Sequence, residues 1–288
     1  MTVIVPAVVR GVAVLLAGSL PWVVALAPLN LRVASAVPWA ILPMGFYLYV
    51  YWRYFGGRLG PLATARRRHE YLRANAVPAA AWTLALVTGL VGFGALVALL
   101  EVMARVTTMP GTGQIQVPEG IPRATVFALL TMSSAVAGIT EEAAFRGYMQ
   151  GPIERRHGLA IAILVNGTMF GLVHFPNHPD HVLSMLPYYI AVSAVYGALT
   201  WATNSILPAV TLHAGANVWS LTRLWVTGRP EWQLSATPPA LVWTTGFTAA
   251  FLGAIGSLVI LGLVTAVLCR WLRRIVARSA LRFEQQKG

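Results

Sequence analysis

Two adjacent carboxylates, Glu141 and Glu142, interrupt an apolar run in the stretch GITEEAAFRGYMQ (138–150), in a chain with only nine acidic residues among 288. A charge at the centre of a bilayer costs at least about 2.5–3.5 kcal/mol, so such groups turn to the protein interior or to a wet cavity and have partners. On a helix Glu142 and Arg146 are four apart, share a face and can pair. Glu141 is turned from Glu142 by about 100°. The spacing predicts a division of labour, with Glu142 held by Arg146 and Glu141 left to point into a cavity. The competing reading makes EEAAFR the solvated end of a span.

Two further polar stations follow. Phe170 and His174 in TMFGLVHFPNH are four apart, as are His213 and Asn217 in TLHAGANVW, where Ala214, Gly215 and Ala216 permit close helix approach. Taken singly, His174 also reads as a hydrogen-bonded packing residue near a span end, and His213 with Asn217 as interhelical hydrogen-bonding groups. His174 and His178 have the spacing of a zinc-binding H-E-x-x-H helix, but position 175 is Phe and Pro176 breaks the helix between them. His178, Asp180 and His181 read as loop residues. Together, a carboxylate, imidazoles and an amide are what hydrolysis asks for: a base for water and donors for an oxyanion.

In this order on successive helices, E-E-x-x-x-R, F-x-x-x-H and H-x-x-x-N resemble the CPBP intramembrane proteases. That family includes the type II CAAX prenyl endopeptidases and the Abi proteins of bacteriocin processing and self-immunity. The resemblance covers roughly residues 123–225 and rests on Glu141, Glu142, Arg146, Phe170, His174, His213 and Asn217. It implies that Glu141, assisted by His174, deprotonates and positions a water, that His213 and Asn217 donate to the oxyanion, and that Arg146 holds Glu142. The family is also described as metal-dependent, which leaves the cofactor as none or zinc. Zinc would take Glu141, His174 and His213 and keep one position open; Asn217, a poor zinc ligand, favours the metal-free route. The implied substrate is a membrane-associated protein or peptide, through CAAX-type or other C-terminal processing. A non-proteolytic immunity or scaffold protein on the same fold is the alternative. A transporter should show interrupted helices in corresponding halves, and here the polar residues keep to one half.

The elements that must position these groups are membrane helices. The chain is 57% hydrophobic and 10% charged, against about 25% charged in soluble domains. Spans need about 20 apolar residues, and eight candidates centre on 11–31, 36–52, 79–103, 123–150, 159–175, 184–203, 208–226 and 241–269. The predicted fold is therefore all-α: one polytopic bundle of about eight transmembrane helices over 1–288, with N-terminal helices and loops (1–122), a catalytic core (123–225), and a last helix with a basic tail (226–288). Glu141, His174 and His213 fall at different depths if a turn begins at Gly151-Pro152, so tilted or broken helices must gather them.

Charge placement sets the expected orientation. Arg53, Arg58, Arg66, Arg67, Arg68, Arg73, Arg155, Arg156, Arg270, Arg273, Arg274, Arg278, Arg282 and Lys287 share one side, against Arg32, Arg105, Arg123 and Arg229. This positive-inside bias places both termini in the cytoplasm, and it accounts for the net charge of +12 without a nucleic-acid partner. The single cysteine, Cys269, excludes an internal disulfide and a cysteine-cluster metal site. The N-terminal apolar stretch with ALA at 25–27 imitates a signal peptide, but Pro28 is an awkward junction and the segment reads as a retained first helix. Arginine outnumbers lysine twenty to one, which hints at a GC-rich genome and a bacterial plasma membrane.

Overall fold

A computed structural model describes residues 3–33, 36–111, 119–177 and 179–285; His178 and Lys287 lie outside the described residues. Among the described residues the secondary structure is helical, with no strand. The longer helices are α1 Ile4–Arg32, α2 Ile41–Phe55, α3 Leu62–Leu72, α4 Ala79–Val106, α5 Arg123–His157, α6 Leu159–His174, α7 Val182–Thr203, α8 Leu207–Thr227 and α9 Ala249–Gln285. Each of the eight apolar runs contains a helix, though 36–40 and 246–248 lie outside one. Among the described residues five helices are long and apolar enough to cross a membrane: α1, α4, α5, α7 with the turn before it, and α9. With 15 and 16 residues, α2 and α6 fall short of a span. In α8, His213, Asn217, Ser220 and Arg223 dilute the apolar content. The protein is an integral membrane protein.

The described chain forms two compact units, the first drawn from residues 1–74, 113–156 and 210–230, the second from 75–112, 157–209 and 231–288. In the first, α1 lies along α5 through glycines. A Cβ on Gly11 would stand 3.0 Å from Met149 Cβ, and one on Gly18 would stand 2.4 Å from Thr140 Cγ2. Without a hydrophobic drive between helices in lipid, such small residues let backbones approach and gain dispersion contacts. The α2 helix packs on the same α5 through Ala40, Met44, Leu48, Leu129 and Val136 around Trp22, whose indole N–H donates to Ser133 Oγ at 2.8 Å. Asn30 fixes the turn between α1 and α2, donating to the Val37 carbonyl and accepting from the Ala40 amide.

In the second unit α4 packs against α7 and α9, and α6 packs against α7. Gly92 and Gly167 set the closest approaches: added Cβ atoms would stand 2.8 Å from Val195 Cγ1 and 2.6 Å from Ile190 Cα. The outer face of α9 shows Leu252, Val259, Ile260, Leu263 and Val267 exposed, an apolar surface that suits acyl chains and not water.

The expected turn at Gly151-Pro152 is absent. From Glu142 to Gln150 the helix widens into π turns, then returns to α geometry over Gly151–His157. Pro152 falls where the two hydrogen-bond ladders change over, a place that tolerates its missing N–H. The helix stops at Gly158, whose φ of +84° is open to glycine.

Candidate active site

The nine residues of the π stretch, Glu142 to Gln150, are all buried. Single π turns are rare and gather at functional sites, and this one begins at the paired glutamates. Three neighbours hold it. α1 covers one side through Gly11, against Ala144 and Met149. α3 covers another, with Gly147 so close that a Cβ would stand 3.0 Å from the carbonyl oxygens of Tyr71 and Leu72. The Tyr148 hydroxyl donates to the carbonyl of Phe55 at 2.8 Å. Beyond the stretch, Glu154 accepts from Arg73 at 3.1 Å and from the Gln150 amide at 2.9 Å.

The third neighbour is α8. Gly138 and Ala214 touch backbone to backbone: a Cβ on Gly138 would stand 2.8 Å from Ala214 N and 2.9 Å from Ala214 Cβ. Glu141 lies one turn beyond Gly138, and His213 is next to Ala214, so this approach delivers the imidazole to the carboxylates. Replacing Gly138 by valine is expected to cost about 1–3 kcal/mol and to part Glu141 from His213. Thermal unfolding in detergent, read beside cleavage activity, checks both effects.

The resulting arrangement is a relay of four groups. Arg146 Nη1 stands 3.1 Å from Glu142 Oε1, and both side chains are 0% exposed. The same carboxylate oxygen accepts from His213 Nδ1 at 2.8 Å. A carboxylate oxygen accepts, so His213 Nδ1–H donates to it, and the other ring nitrogen is turned away from Glu142. That nitrogen, Nε2, faces Glu141 Oε2 at 3.7 Å. The Glu141 side chain keeps 16% of its exposure, although Oε2 itself is buried and makes no hydrogen bond among the described residues. Glu142 thus stands against Arg146, four residues on as the spacing predicts, and Glu141 stands against His213 instead. Asn217, half-buried, follows His213 by one turn of α8.

His174 and Phe170 belong to the second unit. His174 Nδ1 lies 2.8 Å from the Phe170 carbonyl, and a carbonyl accepts only, so Nδ1–H donates. Phe170 and Tyr189 flank the ring, with centroids at 4.5 Å and 5.1 Å, the latter stacked at 29°. Tyr189 had no motif to reveal it; one of two tyrosines in an apolar run, it acquires meaning only through the α6–α7 packing. Tyr188 beside it donates to Glu231 at 2.9 Å, a carboxylate in the loop after α8 that no spacing linked to α7.

Among the described residues of either unit, no three His, Cys, Asp or Glu side chains are arranged to hold a metal ion. In the first unit Glu142 Oε1 is engaged twice. Glu142 Oε2, like Glu141 Oε2, is buried without a hydrogen-bond partner among the described residues.

Residues 123–219 match the family model described as "Type II CAAX prenyl endopeptidase Rce1-like". The matched stretch, about a third of the chain, holds Glu141, Glu142, Arg146, Phe170, His174, His213 and Asn217. No curated protein and no solved structure matches the chain.

Proposed function

We propose that this chain, whose residues 123–219 match a CAAX-protease family, is an intramembrane endopeptidase that cleaves a membrane-associated protein or peptide by carboxylate-activated water. The observation that carries the reading is the buried relay from Arg146 through Glu142 and His213 to Glu141. Its two ends differ in a way that chemistry can use. At the inner end a guanidinium and a carboxylate neutralise one another. At the outer end Glu141 faces His213 Nε2 at 3.7 Å, too far for a direct hydrogen bond and near enough for one oxygen atom to bond with both.

In this reading Glu141 takes the proton of the attacking water. His213, with Nδ1 held by Glu142, is fixed in tautomer and orientation. The proton that Glu141 takes passes to His213 Nε2, which then donates to the tetrahedral oxyanion with the Asn217 amide as the second donor, and gives the proton up to the leaving amine as the carbon–nitrogen bond breaks. The assisting role expected for His174 rests on its place in the matched motif alone. Arg146 sets the charge of Glu142 and through it the ring of His213.

The metal-free route is part of this proposal, because Asn217 is a poor zinc ligand and suits an oxyanion donor. The zinc alternative would need His174 as the third ligand beside Glu141 and His213, and metal analysis of active protein separates the two. CAAX-type processing at a C-terminus, and a bacterial plasma membrane as the setting, belong to the same proposal.

Comparing the membrane peptidomes of cells carrying the wild type and Glu141→Ala tests the activity itself. Fragments with new termini are expected with the wild type alone. Identical peptidomes, with both proteins present in the membrane at equal levels, would favour the immunity or scaffold reading.

A further inference from the structure

The turn and short helix between α2 and α4 carry charge and apolar surface that the proposed chemistry does not use. Arg58, Arg66 and Arg67 are exposed there, and Glu70 is the one acidic residue, paired with Arg66 at 2.9 Å. Between them Leu59 is partly exposed and Leu62 is 87% exposed. An exposed i,i+4 ion pair contributes little and exchanges partners readily. A bare leucine flanked by arginines is out of place in water, but it suits the boundary between headgroups and acyl chains.

The tip is held in place from within. Arg68, on the inward face of α3 and itself buried, donates to the carbonyls of Tyr54 at 2.5 Å, Leu59 at 2.6 Å and Pro61 at 3.0 Å. Its guanidinium stacks on the Tyr54 ring at 4.2 Å. One arginine thus ties the carbonyls of the whole turn together and leaves Leu59, Leu62 and the other arginines facing outward. Gly57, at φ +74°, lets the turn close: a Cβ there would stand 2.1 Å from the Ala65 carbonyl oxygen.

We infer that Arg58, Leu59, Leu62, Arg66 and Arg67 form a docking surface for the anionic headgroups of the adjacent leaflet, with Leu59 and Leu62 inserted among the acyl chains. Charge complementarity names the occupant: three outward arginines against one carboxylate match a negatively charged surface. The two leucines choose a lipid surface over an acidic peptide, since only the lipid offers an apolar layer beneath its charge. The positive-inside bias places the loop at the cytoplasmic leaflet, where anionic lipids supply the field. The inference does not rest on the protease reading. It does bear on it, because α3 is seated on the π stretch: Tyr148 bonds the carbonyls of Phe55 and Arg68 at 2.8 Å and 3.3 Å, and the Tyr71 and Leu72 carbonyls press on Gly147.

Cys269 is the one cysteine and is buried, which makes a depth measurement clean. In the full-length Cys269→Ser protein, a nitroxide placed at the exposed position Ala63→Cys reports access to a water-soluble paramagnetic quencher. The protein is reconstituted in vesicles of phosphatidylcholine alone or mixed with phosphatidylglycerol. Phosphatidylglycerol is expected to shield the label several-fold, and the triple variant Arg58→Gln/Arg66→Gln/Arg67→Gln is expected to lose that shielding. Equal access in both lipids would overturn the inference, as would shielding that appears in phosphatidylcholine only on adding polyglutamate, which would assign the surface to an acidic peptide. Because the readout is depth and not cleavage, its failure leaves the protease reading untouched.

Discussion

Arg146→Ala is expected to destabilise the protein by about 3–5 kcal/mol, the cost of leaving one member of a buried ion pair without the other. Both side chains are fully buried and 3.1 Å apart, so neither solvent nor salt screens them. The larger part of that cost falls on the carboxylate that stays behind. Without the guanidinium, Glu142 keeps only the His213 N–H at 2.8 Å, and it must either take up a proton or remain an ill-compensated charge. Protonation would then weaken its hold on His213 Nδ1, so activity falls with stability. Arg146→Lys does not rescue, because a point charge on a shorter stem does not reproduce the planar fork. Glu142→Gln strands the opposite charge and is expected to cost a similar amount. The double variant Glu142→Gln/Arg146→Ala should cost less than the two single changes added, since residues in contact are coupled. Thermal unfolding in detergent of the four proteins measures the cycle; a loss below about 1 kcal/mol for Arg146→Ala, the level of an exposed pair, would mean that the pair is not sealed from solvent.

How much of this was legible in the chain depends on the distance over which residues must be paired. Glu142 and Arg146 are one helical turn apart, and their pairing follows from period alone, as does the turning away of Glu141. The Phe170–His174 spacing put one ring over the other. The bond between His213 and Glu142 spans 71 residues, and no local rule connects them. Only the small residues Gly138 and Ala214 signalled that α5 and α8 approach closely, and small residues occur throughout a membrane chain. The π stretch was also hidden: a fixed 3.6-residue period has no way to register a ladder shifted by one, which is why a turn was expected at Gly151-Pro152 and the helix instead runs to His157. The eight apolar runs stand out because hydropathy is a local property. Their lengths were less secure, since α2 and α6 are apolar throughout and yet too short to span.

Glu141→Gln is expected to lower cleavage by about 10²–10⁴-fold, the usual contribution of a positioned general base, while leaving stability nearly unchanged. The two halves of that expectation come from one observation. Glu141 keeps some exposure and its Oε2 makes no hydrogen bond among the described residues, so an amide of the same size breaks no bond that holds the fold. What changes is basicity: an amide cannot take the proton of water, nor does it present a charge to His213 Nε2 at 3.7 Å. The contrast with Arg146→Ala is diagnostic. A residue that only stabilises the fold loses activity in proportion to folded protein, whereas Glu141→Gln should give fully folded, inactive protein. The order of the two glutamates is tested at the same time, for Glu142→Gln is expected to lose both properties. The measurements are the rate on a substrate identified from the peptidomes and the unfolding midpoint of the same preparation. If Glu141→Gln cleaves at the wild-type rate, the base lies elsewhere and the relay from Arg146 to His213 is a structural device alone.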